Sequence, residues 1–162
     1  MDNLIFTFSA IILYFACSAL LFFQLKQQAD NISQQTISLP GKQIIAIGIA
    51  AVFLHGLSLY FNMVSPQGVN LGFYNAISLV SAVIALFALL AAWRYPVGIL
   101  VVVFLPLASI AMLDDAFSNT SHLLLTGEFS PLSIHILSSI IAYSLLALAA
   151  LQAVLLSIQN KF

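Results

Sequence analysis

Charge is what this sequence has least of: four basic and five acidic residues among 162, or 6%, for a formal net charge of -1. An average soluble domain is roughly 25% charged. With 62% of positions hydrophobic, no water-soluble fold of this length covers its apolar surface with polar groups. The shortage of Lys and Arg also removes the basic patch by which a nucleic-acid partner is held. Cysteine is equally scarce. Cys17 stands alone, so an internal disulfide is excluded, and without a Cys-x-x-Cys-His stretch the chain is not a cytochrome carrying covalent haem. There is no nucleophile paired with a base, no phosphate-cradling loop and no zinc-type cluster, so catalysis in the ordinary sense is not expected.

Long apolar runs are what the sequence has in quantity. A helix needs about 20 mostly apolar residues to cross the roughly 30 Å hydrocarbon core of a bilayer. Five such runs lie between polar breaks: about 4–25, 44–63, 71–93, 97–113 and 132–158. The expected fold is therefore all-α, a polytopic transmembrane helical bundle of about five spans forming one membrane domain over residues 1–162. The first run lacks a basic leader and is longer than the apolar stretch of a cleaved signal peptide, so it counts as a span. Within it, Tyr14-Phe15-Ala16-Cys17 has only a faint likeness to a lipoprotein cleavage box, and Cys17 is expected to be a small buried side chain. Pro106 falls inside the fourth run, where it is tolerated if a neighbouring group satisfies the carbonyl it frees.

The breaks have loop chemistry. Residues 27–42 are rich in Gln, Asn and Ser and contain Pro40-Gly41, Ser65-Pro66-Gln67-Gly68 reads as a turn, and Arg94-Tyr95-Pro96 is a tight connection. A longer segment from Asp114 to Ser130 carries Asp115, His122 and Glu128. Short connections make successive helices antiparallel, which places Lys26, Lys42, Arg94 and Lys161 on one face. By the positive-inside rule that face is cytoplasmic, so the N-terminus, the Ser65–Gly68 turn and the acidic loop are expected outside.

All three histidines then fall in the outer half. At about 1.5 Å per residue, His55 lies about 12 Å in from the outer end of the second span and His135 about 6 Å into the fifth, with His122 in the outer loop. Ionisable side chains in a bilayer usually face a bundle interior and mark a ligand or ion site. The plainer alternative for His55, beside Gly56 and Ser58, is a neutral imidazole hydrogen-bonded between helices, and for His122 a solvated loop residue. His135, Ser138, Ser139, Ala142, Ala149 and Ala153 recur at helical spacing and form a stripe of small residues, with Tyr143 and Gln152 on or near it, of the kind that admits a neighbouring helix. Asn75 and Ser78 open the third span as interfacial polar groups or pocket lining. Asp114 and Asp115 are expected to end the fourth helix at the outer surface, solvated or orienting an imidazole that ligates a metal.

These residues carry a resemblance. Leu54-His55, Asn75 with Ser78-Leu79-Val80, His122, His135-Ile136-Leu137-Ser138, Ala142-Tyr143-Ser144 and Ala149-Ala150-Leu151-Gln152-Ala153 are similar to the haem-handling cytochrome c assembly family of membrane proteins (the CcsA, CcmC and HemX type), most of all to its YpjD-type inner membrane members. The likeness runs from the second span onward. It implies a multi-pass protein of the bacterial inner membrane that binds haem b non-covalently, with His55 and His135 as candidate iron ligands and His122 third, and that assists cytochrome c assembly or haem trafficking. Other cytochrome c assembly proteins are the implied partners beside haem and the lipid bilayer. Members of the family carry further spans with further histidines, so the chain is expected to match their front portion. It differs in lacking a tryptophan-rich outer segment, since Trp93, its one tryptophan, stands at the inner interface. The rival reading is an accessory or structural membrane subunit, for example of an ion transporter, whose histidines only hold helices together.

Overall fold

The computed structural model describes residues 2–29, 41–65, 68–118, 123–124 and 131–159. Five helices account for nearly all of them: α1 (Asp2–Ala29), α2 (Gly41–Met63), α3 (Phe73–Arg94), α4 (Gly98–Phe117) and α5 (Pro131–Gln159). Each is long and apolar enough to cross a membrane, and the fold is the all-α transmembrane bundle expected from the apolar runs. The helices outlast those runs at several ends. α1 continues through Lys26 to Ala29, and α4 carries on through Asp114 and Asp115 to Phe117. Apolar length measures the bilayer, whereas a helix continues into water as long as its residues tolerate the geometry.

The helices form a closed ring with one addition. α1 packs on α2 and α4, and α3 packs on the same two from the other side. α5 lies outside this ring, mainly against α3. Very short strands β1 (Val64–Ser65), β2 (Gly68–Asn70) and β3 (Leu123–Leu124) make a three-stranded antiparallel sheet at one end of the bundle. The expected turn at Ser65–Gly68 is the hairpin between β1 and β2, and β3 ties the acidic segment to it through Val69↔Leu124 and Asn70↔Leu123.

Two antiparallel stripes hold α1 to α2. On α1 the buried side is Thr7, Ala10, Tyr14, Cys17 and Leu21; on α2 it is Ile44, Gly48, Ala51, His55 and Ser58. Both repeat at alternating steps of three and four, the spacing that keeps one seam turned to a partner helix. Gly48 leaves room for side chains of two other helices: a Cβ there would lie 2.5 Å from a Leu89 methyl of α3 and 3.0 Å from Cys17 Sγ of α1. Lipid is as apolar as the interior, so contact area alone does not drive these helices together, and packing plus interhelical hydrogen bonds must. Cys17 is fully buried, as expected, and its Sγ donates to the Ile44 carbonyl at 3.2 Å. α4 shows how the proline is accommodated. Pro106 has no N–H to give the carbonyl of Val102 four residues earlier, and Ser18 Oγ of α1 donates to that carbonyl at 3.0 Å.

Candidate functional site

His55 sits on the α2 stripe with no exposed surface. Both ring nitrogens have partners: Nδ1 is 3.1 Å from the Tyr14 hydroxyl on α1, and Nε2 is 3.0 Å from Ser78 Oγ on α3. A neutral imidazole has one donor and one acceptor, and each hydroxyl supplies whichever role is left, so the triad is satisfied in either tautomer. The Tyr14 ring also meets the imidazole edge-on, at 5.8 Å between centroids and 80° between planes. One turn nearer the strand end, the buried hydroxyls of Thr7 and Ser58 pair at 2.7 Å. Three helices are thus clamped at one level by a histidine with no nitrogen lone pair left to offer.

His135 is placed otherwise. It lies on the exposed side of α5, and among the described residues neither of its ring nitrogens has a hydrogen-bond partner. Its backbone carbonyl accepts from Ser138 Oγ at 2.9 Å and Ser139 Oγ at 2.8 Å, so both hydroxyls fold back on their own helix. Ser138, Ala142, Ala149, Gln152 and Ala153 are exposed as well, and Tyr143 is 68% exposed. The side of α5 that meets the ring is a different one, built on Ser144, Leu148, Leu151 and Leu155. None of the other described helices covers the small-residue stripe. The two histidines are also set apart: His55 is buried between α1, α2 and α3, whereas His135 is exposed on α5. His122 lies outside the described residues.

A cavity of about 180 Å³ does open at the strand end, between the ends of α1, α2, α3 and α4 and the strand β2. Its polar lining comprises Thr7, Asn62, Asn70, Tyr74, Asn75, Asp115 and Ser118. Asn62 Nδ2 donates to Asp115 Oδ2 at 3.3 Å, and Asn75 Nδ2 donates to the Asn70 carbonyl at 3.1 Å. Asp115 thus accepts from an amide through one carboxylate oxygen, and Asp114 is exposed. Of the two polar residues opening α3, Asn75 lines this cavity while Ser78 belongs to the His55 clamp.

Haem can be tested against these places. The cavity is polar, has no histidine among its described lining residues and falls below the roughly 300 Å³ at which ordinary small-molecule pockets begin. His55 has no free nitrogen in this arrangement. The interior of the ring does not fit haem between His55 and His135. The outward side of α5 offers an exposed imidazole, without a ring hydrogen bond among the described residues, and exposed Ser138 and Ala142 on the following turns. No group of three His, Cys, Asp or Glu suited to a metal ion occurs among the described residues.

Tyr14 is the site residue that sequence reasoning missed. Its signal was the α1 stripe of three-and-four steps through Thr7, Ala10, Tyr14, Cys17 and Leu21, which points the phenol toward whatever faces Cys17.

What fold and site define together is a five-span helical membrane protein with one histidine locked in its core and another open on its flank. Comparisons with protein-family models, with curated proteins and with solved structures gave no match.

Proposed function

We propose that this chain is a haem-handling membrane protein of the cytochrome c assembly type, and that His135 is the residue by which it holds haem b. The observation that carries the reading is the exposed imidazole of His135, free of hydrogen bonds among the described residues and set on a stripe of small residues. An unprotonated imidazole is a common axial ligand of haem iron, and the iron brings the redox and ligand-exchange chemistry when bound. The protein's part is to hold that nitrogen on a rigid helix, with Ser138 and Ala142 leaving room beside it. The resemblance of the His135–Ala153 block to the cytochrome c assembly family supports the same assignment. In this reading the membrane is the bacterial inner membrane, the strand end faces outward and Lys26, Lys42 and Arg94 face the cytoplasm. The purified full chain, titrated with hemin in detergent and reduced, is expected to develop a b-type Soret band. A chain that stays colourless at every ratio would remove the proposal.

One observation favours a second reading for part of the molecule. The two hydrogen bonds of His55 are what an accessory or structural membrane subunit would use to fix its helices. That role is compatible with haem at His135, and it becomes the reading of the whole protein if hemin does not bind.

The orientation has its own check. A membrane-impermeant thiol reagent applied to intact cells is expected to label an Asn119→Cys variant and spare Gln34→Cys. The opposite pattern inverts the topology.

A further inference from the structure

The cavity at the strand end has no part in the haem proposal, and its chemistry is one-sided. Among the described residues of its lining Asp115 is the only charged one, and the polar groups around it are amides and hydroxyls. No described Lys, Arg or His contributes. One member is unusual. Asn75 is 6% exposed and its amide nitrogen is committed to the Asn70 carbonyl, yet among the described residues its side-chain carbonyl oxygen accepts nothing. A nearly buried acceptor left open at a cavity wall calls for a donor within the cavity. Tyr74 lines the same space.

We propose that this cavity binds a small primary ammonium group, held by the Asp115 carboxylate together with the Asn75 carbonyl and the Tyr74 hydroxyl. An ammonium has three N–H donors and no acceptor, which suits the Asp115 carboxylate, the Asn75 carbonyl and the Tyr74 oxygen together. A divalent ion fits poorly, since a single carboxylate leaves it half neutralised and tight sites for such ions recruit several carboxylates. A bare alkali ion leaves most of the 180 Å³ unfilled, whereas an ammonium bearing a short carbon chain fills it. Leu4 and Ala116, also in the lining, give that chain apolar contact. Two sources carry this chemistry: a free short-chain amine and the ethanolamine headgroup of a membrane lipid.

Ethylammonium chloride is the probe. Isothermal titration of the full chain in nanodiscs of phosphatidylcholine and phosphatidylglycerol is expected to show saturable binding at constant ionic strength. Asp115→Asn, which keeps the side-chain shape, is expected to weaken it by about tenfold or more, as loss of a charge-assisted hydrogen bond implies. Asn75→Ala is expected to weaken it by about threefold to tenfold. Asp114→Asn, exposed and outside the lining, is expected to change nothing, and circular dichroism melting of each variant separates lost binding from lost fold. Replacing phosphatidylcholine by phosphatidylethanolamine distinguishes the sources: a raised apparent Kd identifies the lipid headgroup as the occupant, an unchanged one a free amine. Binding that sodium chloride reproduces at equal concentration, that tetramethylammonium matches without an N–H donor, or that survives Asp115→Asn in a folded variant overturns the proposal.

Discussion

The α1–α2 seam and the outward side of α5 each set a histidine among small and hydroxylated side chains, yet the two histidines meet opposite fates. On the seam, Tyr14 and Ser78 reach His55 from two other helices, and Thr7 and Ser58 close the next level. On α5, Ser138 and Ser139 turn back to the carbonyl of His135 and leave its ring alone. The difference lies in what neighbouring helices bring to the same height, since the local sequences are alike in kind. In a membrane a hydroxyl binds its own backbone by default, and it becomes an interhelical link only where a partner helix offers a group within reach. A histidine so linked is a structural fixture. One left unlinked still has its nitrogens to give.

Substituting the two histidines in parallel separates these roles most sharply. His55→Ala removes a fully buried ring and leaves two buried hydroxyls without a partner, and is expected to destabilise the protein by about 3 kcal/mol in equilibrium unfolding from mixed micelles. His135→Ala, at an exposed position, is expected to stay within about 0.5 kcal/mol. Equal effects would erase the distinction.

A pair of glycines on α2 refines the picture of the seam. Gly48→Ala drives a methyl to within 2.5 Å of Leu89 and 3.0 Å of Cys17 Sγ, a buried clash expected to cost about 1–3 kcal/mol. Gly56→Ala meets nothing within 4 Å and is expected to be neutral or to add up to about 1 kcal/mol through helix propensity. Melting both variants side by side decides whether the room left at Gly48 is what the seam depends on.

The smallest expected effect concerns α4. Ser18→Ala leaves the Val102 carbonyl, already deprived of its helical donor by Pro106, without the hydroxyl that satisfies it, at about 1 kcal/mol. In a Pro106→Ala background the backbone N–H returns, and the same Ser18→Ala change is expected to cost less than half as much. Full additivity of the two substitutions would show that Ser18 acts elsewhere.

These contrasts also show how far the sequence could be read. Apolar length located all five spans, because the bilayer sets that length directly, and the need to satisfy the carbonyl freed by Pro106 was visible in the residue alone. Helix ends were less legible: residues 27–29 read as the start of a polar loop but form the last turn of α1. The facing of α5 was illegible for a deeper reason. In water the apolar side of a helix identifies the core, but in lipid both sides are apolar. The stripe through Ser144, Leu148, Leu151 and Leu155 that meets the ring looks no more like a core than the exposed one. Tyr14 escaped notice in the same way, as one aromatic in an apolar run, until His55 was seen opposite it.

The claim that ties the account together is that His135 gives its imidazole to haem while His55 spends its own on the fold. Hemin titration of the wild type, His135→Ala and His55→Gln, with each preparation matched for folded fraction by circular dichroism, tests it most directly. The account predicts that His135→Ala weakens hemin binding by at least about tenfold, as loss of an axial ligand implies. It predicts that His55→Gln, which retains hydrogen-bonding capacity toward Tyr14 and Ser78, leaves the Soret band in place. A band that survives His135→Ala and disappears in His55→Gln would contradict it.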